Sequence, residues 1–150
     1  ADLQDRNAYD LSANVANVIA PGKRPLSSLS PTFIEGPDDF AAFGTSGGSR
    51  IPSTLLLTIL QYLDRQPIAS WTSAPRFHHQ YMPDKLEYEP GAFSATQTDQ
   101  LKARGHHPEM LDRRYGNQQV LRWSKTDNRV EVASDPRGGG LAATLPATTE

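Results

Sequence analysis

At 150 residues the chain is long enough for one domain with a sizeable core and too short for two comfortable ones. Hydrophobic residues at 37% and charged residues at 21% indicate a folded chain, and a net charge of −2 argues against a nucleic-acid partner, which calls for a basic excess on one face. The absence of cysteine excludes disulfides, thiolate metal sites and a cysteine nucleophile, but leaves the compartment open. The longest apolar run, Leu55 to Leu60, is too short to span a bilayer. Ala1 to Asp10 is polar and unlike a signal peptide, so the expectation is a cytosolic protein or a targeting segment outside this sequence.

Residues 1–32 have little periodicity and are predicted to be extended and turn-rich, ending in APGKRPLSSLSPT. TFIEGPDDFAAFG then predicts a hairpin turning through Gly36-Pro37-Asp38-Asp39. The glycine turn GTSGGSRI leads into the clearest helix, whose apolar stripe is read as Leu55, Leu56, Ile59, Leu60 and Leu63. Ser49 is the expected cap, and Pro52 is tolerated in a first turn, where its missing N–H has no intrahelical partner. A short helix is predicted over Pro67 to Ser73, ending before Pro75. Arg76 to Pro90 reads as turns with one strand, Lys85 to Glu89. Ser94 to Arg104 reads as a helix capped by Ser94 or Thr96 and stopped by Gly105. A second hairpin joins Gln118–Trp123 to Arg129–Ala133, and the Gly-, Ala- and Thr-rich stretch beyond Pro136 is predicted to be mobile. Grouped strands with interspersed helices, and no βαβ alternation, predict a layered α+β fold.

Backbone N–H groups at the start of a helix suit any anion: a phosphate, a carboxylate or an acyl-transfer oxyanion. The turn lacks the lysine of a Walker loop and the GxGxxG of a dinucleotide fingerprint, so a phosphate role is disfavoured. Glycines at 47 and 48 could equally serve only to reverse the chain. His78–His79 and His106–His107 are adjacent pairs with no third ligand at a zinc-like spacing, and a structural or supporting role is expected for both. Ser27, Ser28 and Ser30 are either loop caps or a row of hydroxyls for a carboxylate, with Lys23 or Arg24 adding positive charge. Asp135 with Arg137, and Arg76 with Asp84, read as local ion pairs and turn stabilisers.

The serial order of PGKRPLSSLSPT, SGGSRI, APRFHHQYMPD and ASDPRGGG, from Pro21 to Gly140, closely resembles the small subunit of the γ-glutamyltransferase family; NAYDL at Asn7 to Leu11 extends the similarity. The resemblance implies part of a four-layer αββα N-terminal-nucleophile hydrolase sandwich, with residues 1–140 as the C-terminal portion of the small subunit and 141–150 as a flexible tail. It implies a self-cleaving precursor whose small subunit pairs with a large subunit. It also implies γ-glutamyl transfer from glutathione or a related compound to water, an amino acid or a peptide, with no metal or organic cofactor. Ser27 and Ser28 match the paired serines that bind the α-carboxylate of the donor. Gly47 and Gly48 match the pair whose amides form the oxyanion hole. Family nucleophiles are N-terminal threonines, whereas residue 1 is alanine and Ser46 stands where many relatives have proline. The expectation is therefore a nucleophile on an upstream segment, and no turnover by these residues alone. The alternatives are a cephalosporin-acylase-like relative, or an inactive homologue serving as a binding or structural module. By resemblance only, the compartment is periplasmic or extracellular.

Overall fold

The computed structural model describes residues 18–25 and 27–145. The first hairpin forms as the turn chemistry dictates, from β1 (Thr32–Glu35) and β2 (Asp39–Gly44), with Glu35 opposite Phe40. Its turn is closed by the Gly36 amide, which donates to the Asp39 carbonyl at 2.9 Å. Helix α1 (Ile51–Leu63) and the short α2 (Ile68–Ser73) follow, then β3 (Phe77–Gln80), β4 (Lys85–Tyr88), α3 (Ala95–Ala103) and β5 (Pro108–Met110). The second hairpin, β6 (Gln119–Ser124) and β7 (Arg129–Ser134), completes the regular structure of the described residues. One antiparallel sheet has the order β1-β2-β6-β7; a smaller one has the order β3-β4-β5, with β4 and β5 parallel.

The core lies between the larger sheet and α1 and α2. Ala41, Phe43 and Val120 from the strands meet Ile51, Leu55 and Trp71 from the helices. Trp71 makes T-shaped contacts with Phe43 and Tyr62, with ring centroids 6.3 and 5.6 Å apart, and its indole N–H donates to the Gln66 carbonyl at 3.0 Å. Strand pleating sends Phe33, Phe40, Ala42, Leu121 and Trp123 to the opposite face. Phe33 stays 67% exposed there and Trp123 38% exposed, with no helix across them among the described residues. A sheet covered by helices on one side and apolar on the other is one half of a stacked two-sheet sandwich.

Several local expectations are corrected. A 3-10 turn at Gly48–Arg50 delays α1, so Arg50 rather than Ser49 precedes its first residue and no side chain caps it. The buried face of α1 is Ile51, Thr54, Leu55 and Thr58, whereas Leu56, Leu60 and Leu63 are 57%, 46% and 61% exposed. Threonine can take the inner positions because each hydroxyl is satisfied within the helix. Thr54 donates to the Arg50 carbonyl at 3.1 Å and Thr58 to the Thr54 carbonyl at 3.0 Å. Strands β3 and β5 carried no strand signal, since FHHQ lacks apolar alternation and PEM is too short to show any. The third helix forms where expected, with Ser94 rather than Thr96 as its cap, and Gln97 adds a reciprocal capping box that the expectation did not name. Directly after Pro136 the chain is held rather than mobile, because the Arg137 side chain is only 3% exposed and the Gly138 amide donates to the Asp135 carbonyl at 3.1 Å.

Candidate active site

The glycine turn leaves the end of β2 and enters α1 through two residues that depend on glycine. Gly47 sits at φ +146° and Gly48 at φ +58°, a region that side chains disfavour. The Arg50 amide closes the turn onto the Gly47 carbonyl at 3.1 Å, and the Ile51 amide bonds the Gly48 carbonyl. Among the described residues, no backbone acceptor meets the N–H of Gly47 or Gly48.

The serine row reaches this turn. Ser28 Oγ donates to the Gly48 carbonyl at 2.7 Å, across 20 residues of sequence. Ser27 Oγ accepts from the Leu29 amide at 3.1 Å, which leaves its own O–H free to donate elsewhere. Ser30 Oγ donates to the Ser28 carbonyl at 3.0 Å and so braces the row from behind. The structure therefore joins Ser28 directly to Gly48, with Gly47 next to it in the same turn, whereas the Ser27 bond is a local one to Leu29. Lys23 turns back toward Val18, donating to its carbonyl at 3.3 Å, so it does not join the serines through that bond.

Behind the turn lies a buried charge network that the sequence reading had split into local pairs. Arg76 Nη2 donates to Asp135 Oδ2 at 2.6 Å, across 59 residues, rather than pairing with Asp84. Arg137 bridges Asp135 (Nη1 to Oδ1, 3.1 Å) and Glu89 (Nε to Oε1, 2.9 Å). Gln118 joins by accepting from Arg76 at 3.3 Å and donating to Thr58 at 2.6 Å. Burial pushes the Glu89 carboxyl up, but hydrogen bonds from Arg137 and from the Tyr115 and Arg76 amides outweigh it and leave it below its ordinary value. Asp135 behaves the same way: burial raises it, while the Gln118 and Arg137 amides and Arg76 bring it lower. Gly116, at φ +85°, passes so close that a Cβ there would lie 2.7 Å from Arg76 Nη1 and 3.3 Å from Thr45 Oγ1. The network thus backs the 111–118 loop, and the loop backs the glycine turn through the Asn117 amide, 3.4 Å from Thr45 Oγ1.

The histidines divide. His78 is buried, with Nδ1 2.7 Å from Ser53 Oγ on α1 and Nε2 2.9 Å from Gln80 Oε1. Burial lowers its pKa, so it is a neutral ring that fastens β3 to the first turn of α1. His79 is exposed and pairs with Asp84 at 2.8 Å, with His107 on the other carboxylate oxygen at 3.6 Å. Among the described residues, no three potential ligands converge as a metal site would require. Sequence reasoning missed Arg50 and the distant ends of the charge network. The available signal was a recurrence of Arg and Asp beside proline in otherwise uncharged strings, as in APRF and SDPR.

Comparison with known proteins agrees with the resemblance. The sequence profile described as gamma-glutamyltranspeptidase matches residues 1–145. The glutathione hydrolase proenzyme of Escherichia coli K12 is 38% identical over 133 residues, covering 87% of this chain and 22% of that protein. The T380A mutant of Helicobacter pylori gamma-glutamyltranspeptidase superposes with a TM-score of 0.82 at 34% identity, covering 89% of this chain and 74% of that one. The Pseudomonas nitroreducens gamma-glutamyltranspeptidase complexed with L-DON gives 0.84 at 32% identity, over 97% and 77% of the two chains. A match running through the serine row, the glycine turn and both halves of the buried network leaves one assignment: the chain belongs to the gamma-glutamyltranspeptidase family.

Proposed function

We propose that the protein carrying this chain transfers the γ-glutamyl group of glutathione or a related donor to water, an amino acid or a peptide. The chain spans about a fifth of the length of its E. coli relative (22%), so the activity is proposed for the whole protein, with a large subunit as partner. The acyl-enzyme would form on an N-terminal threonine outside these residues, whose own α-amine takes up the hydroxyl proton as the oxygen attacks the γ-carbonyl. Negative charge then grows on the carbonyl oxygen, and the Gly47 and Gly48 amides would stabilise it at that moment. A donor of this kind contributes about 3 kcal/mol of transition-state stabilisation.

The observation that carries the reading is the Ser28-to-Gly48 hydrogen bond, because it joins the proposed carboxylate anchor to the proposed oxyanion site. It also divides labour between the serines. Ser27 has a donor to offer a carboxylate directly, whereas Ser28 must exchange the Gly48 carbonyl for it. The test uses full-length protein with three anilides: γ-glutamyl, γ-aminobutyryl, which lacks the α-carboxylate, and glutaryl, which keeps that carboxylate and lacks the α-amine. We expect γ-glutamyl turnover, and a Ser27→Ala substitution that raises KM for the γ-glutamyl donor while leaving the γ-aminobutyryl compound unchanged. Preference for the glutaryl donor, or no γ-glutamyl turnover, overturns the reading.

A further inference from the structure

We propose that Thr45 is a positioning residue that aims the Gly47 amide, acting through the peptide plane that Ser46 and Gly47 share. The inference rests on the acyl-transfer reading above and deepens it. A peptide group is planar and trans, so its carbonyl and its N–H point in opposite directions. Whatever holds the Ser46 carbonyl therefore sets where the Gly47 N–H points. Thr45 holds it: its Oγ1 donates to the Ser46 carbonyl at 2.8 Å.

The other peptides of the turn have braces of their own. The Gly47 carbonyl accepts from the Arg50 amide at 3.1 Å, and the Gly48 carbonyl accepts from Ser28 Oγ and from the Ile51 amide. The Ser46 carbonyl meets no backbone amide among the described residues, which leaves its orientation to the Thr45 hydroxyl. Neither neighbour resists rotation of this plane. Ser46 has no proline ring to fix its φ, and Gly47, at φ +146°, has no Cβ. A donor free to swing would have to be reoriented as charge develops, which forfeits the advantage of preorganisation.

Thr45 is itself fixed. It directly follows β2, a central strand of the larger sheet, and is 8% exposed. Its β-branched side chain has a restricted χ1. Oγ1 also accepts from the Asn117 amide, 3.4 Å away, which occupies a lone pair and leaves the one hydroxyl proton for Ser46. The loop that supplies Asn117 runs close by: a Cβ on Gly116 would lie 3.3 Å from Oγ1 and 3.5 Å from the Ser46 carbonyl oxygen. That loop stands on the buried charge network, where the Tyr115 amide donates to Glu89 at 3.0 Å and its carbonyl accepts from Arg76 at 2.7 Å. Thr45 thus carries the rigidity of the interior to one peptide of the glycine turn.

The experiment compares full-length wild type with Thr45→Val, Thr45→Ala and Thr45→Ser, with kcat referred to the self-cleaved fraction of each protein. It reads kcat and KM for a γ-glutamyl anilide, and inhibition by a tetrahedral anionic phosphonate analogue of the donor. Valine keeps the shape of threonine and removes the hydroxyl. Thr45→Val should lower kcat about 10- to 100-fold with KM within about twofold, the scale of a small misplacement near the reacting atoms. Phosphonate affinity should fall in parallel, because the analogue samples the same amide. Thr45→Ser, which restores the donor, should recover most of the loss. Retention of wild-type kcat by Thr45→Val, a loss confined to KM, or an equal loss in Thr45→Ser overturns the inference. If Thr45→Val does not fold, Thr45→Ala against Thr45→Ser decides by the same criterion. A wild type without γ-glutamyl turnover would instead overturn the acyl-transfer reading.

Discussion

Two clusters of arginine, histidine and carboxylate stand at opposite ends of β3 and β4, and they behave as different chemistry. Arg76, Glu89, Asp135 and Arg137 are hidden, with side chains at most 3% exposed, and every charge in the group meets an opposite one. His79 and His107 meet Asp84 at 2.8 and 3.6 Å on the surface, where Asp84 is 63% exposed. In the interior, an unpaired charge has no water to turn to, so removing one partner is costly. At the surface, solvent takes over the bond. Both clusters set nitrogen bases against carboxylates, arginine inside and histidine outside; depth separates a fold determinant from a decoration.

Four measurements on full-length protein break or sharpen that contrast. The largest effect is expected for Arg137→Met, which strips Glu89 and Asp135 of a partner and should destabilise by about 3–5 kcal/mol in denaturant unfolding. Gly116→Ala comes next, because a left-handed alanine costs about 1–2 kcal/mol before Arg76 is pushed aside. Its signature would be a loss of stability without any change of charge.

Acid should then expose the network's carboxylates. Glu89 and Asp135 are held below their ordinary values in the folded state, so the unfolded chain binds more protons as pH falls. Their contribution is complete above about pH 5, where both are ionised folded and unfolded. It declines as pH falls through the depressed folded values. The stability gap between wild type and Glu89→Gln should therefore narrow below about pH 4, and a constant gap would contradict the assignment. The smallest effect is expected for Asp84→Asn, with an unfolding midpoint unchanged in low and high salt alike. A clear loss there would show that depth is not what separates the two clusters.

The hairpins, the capped third helix and the glycine turn were legible because each depends on near neighbours. Gly-Pro-Asp-Asp closes one turn, Ser94 and Gln97 cap each other, and two glycines permit a positive-φ bend. The serine row and the glycine pair were legible as strings, but their meeting was not. It depends on a hydrogen bond between segments that nothing local brings together. The orientation of α1 escaped for a related reason. The leucine stripe is the more apolar face, yet Thr54 and Thr58 face inward because their hydroxyls find partners in the helix and in Gln118.

The sequence by itself determined the order of the motifs, most of the regular elements and the membership of the family, since these reside in chain-local patterns. Only the tertiary structure decided that Arg76 belongs with Asp135 and not with Asp84, that Arg50 is clamped between Glu87 and Tyr115, and that one face of α1 is buried rather than another. Charge pairing is chosen by distance and dielectric, and neither exists until segments far apart in the chain pack together.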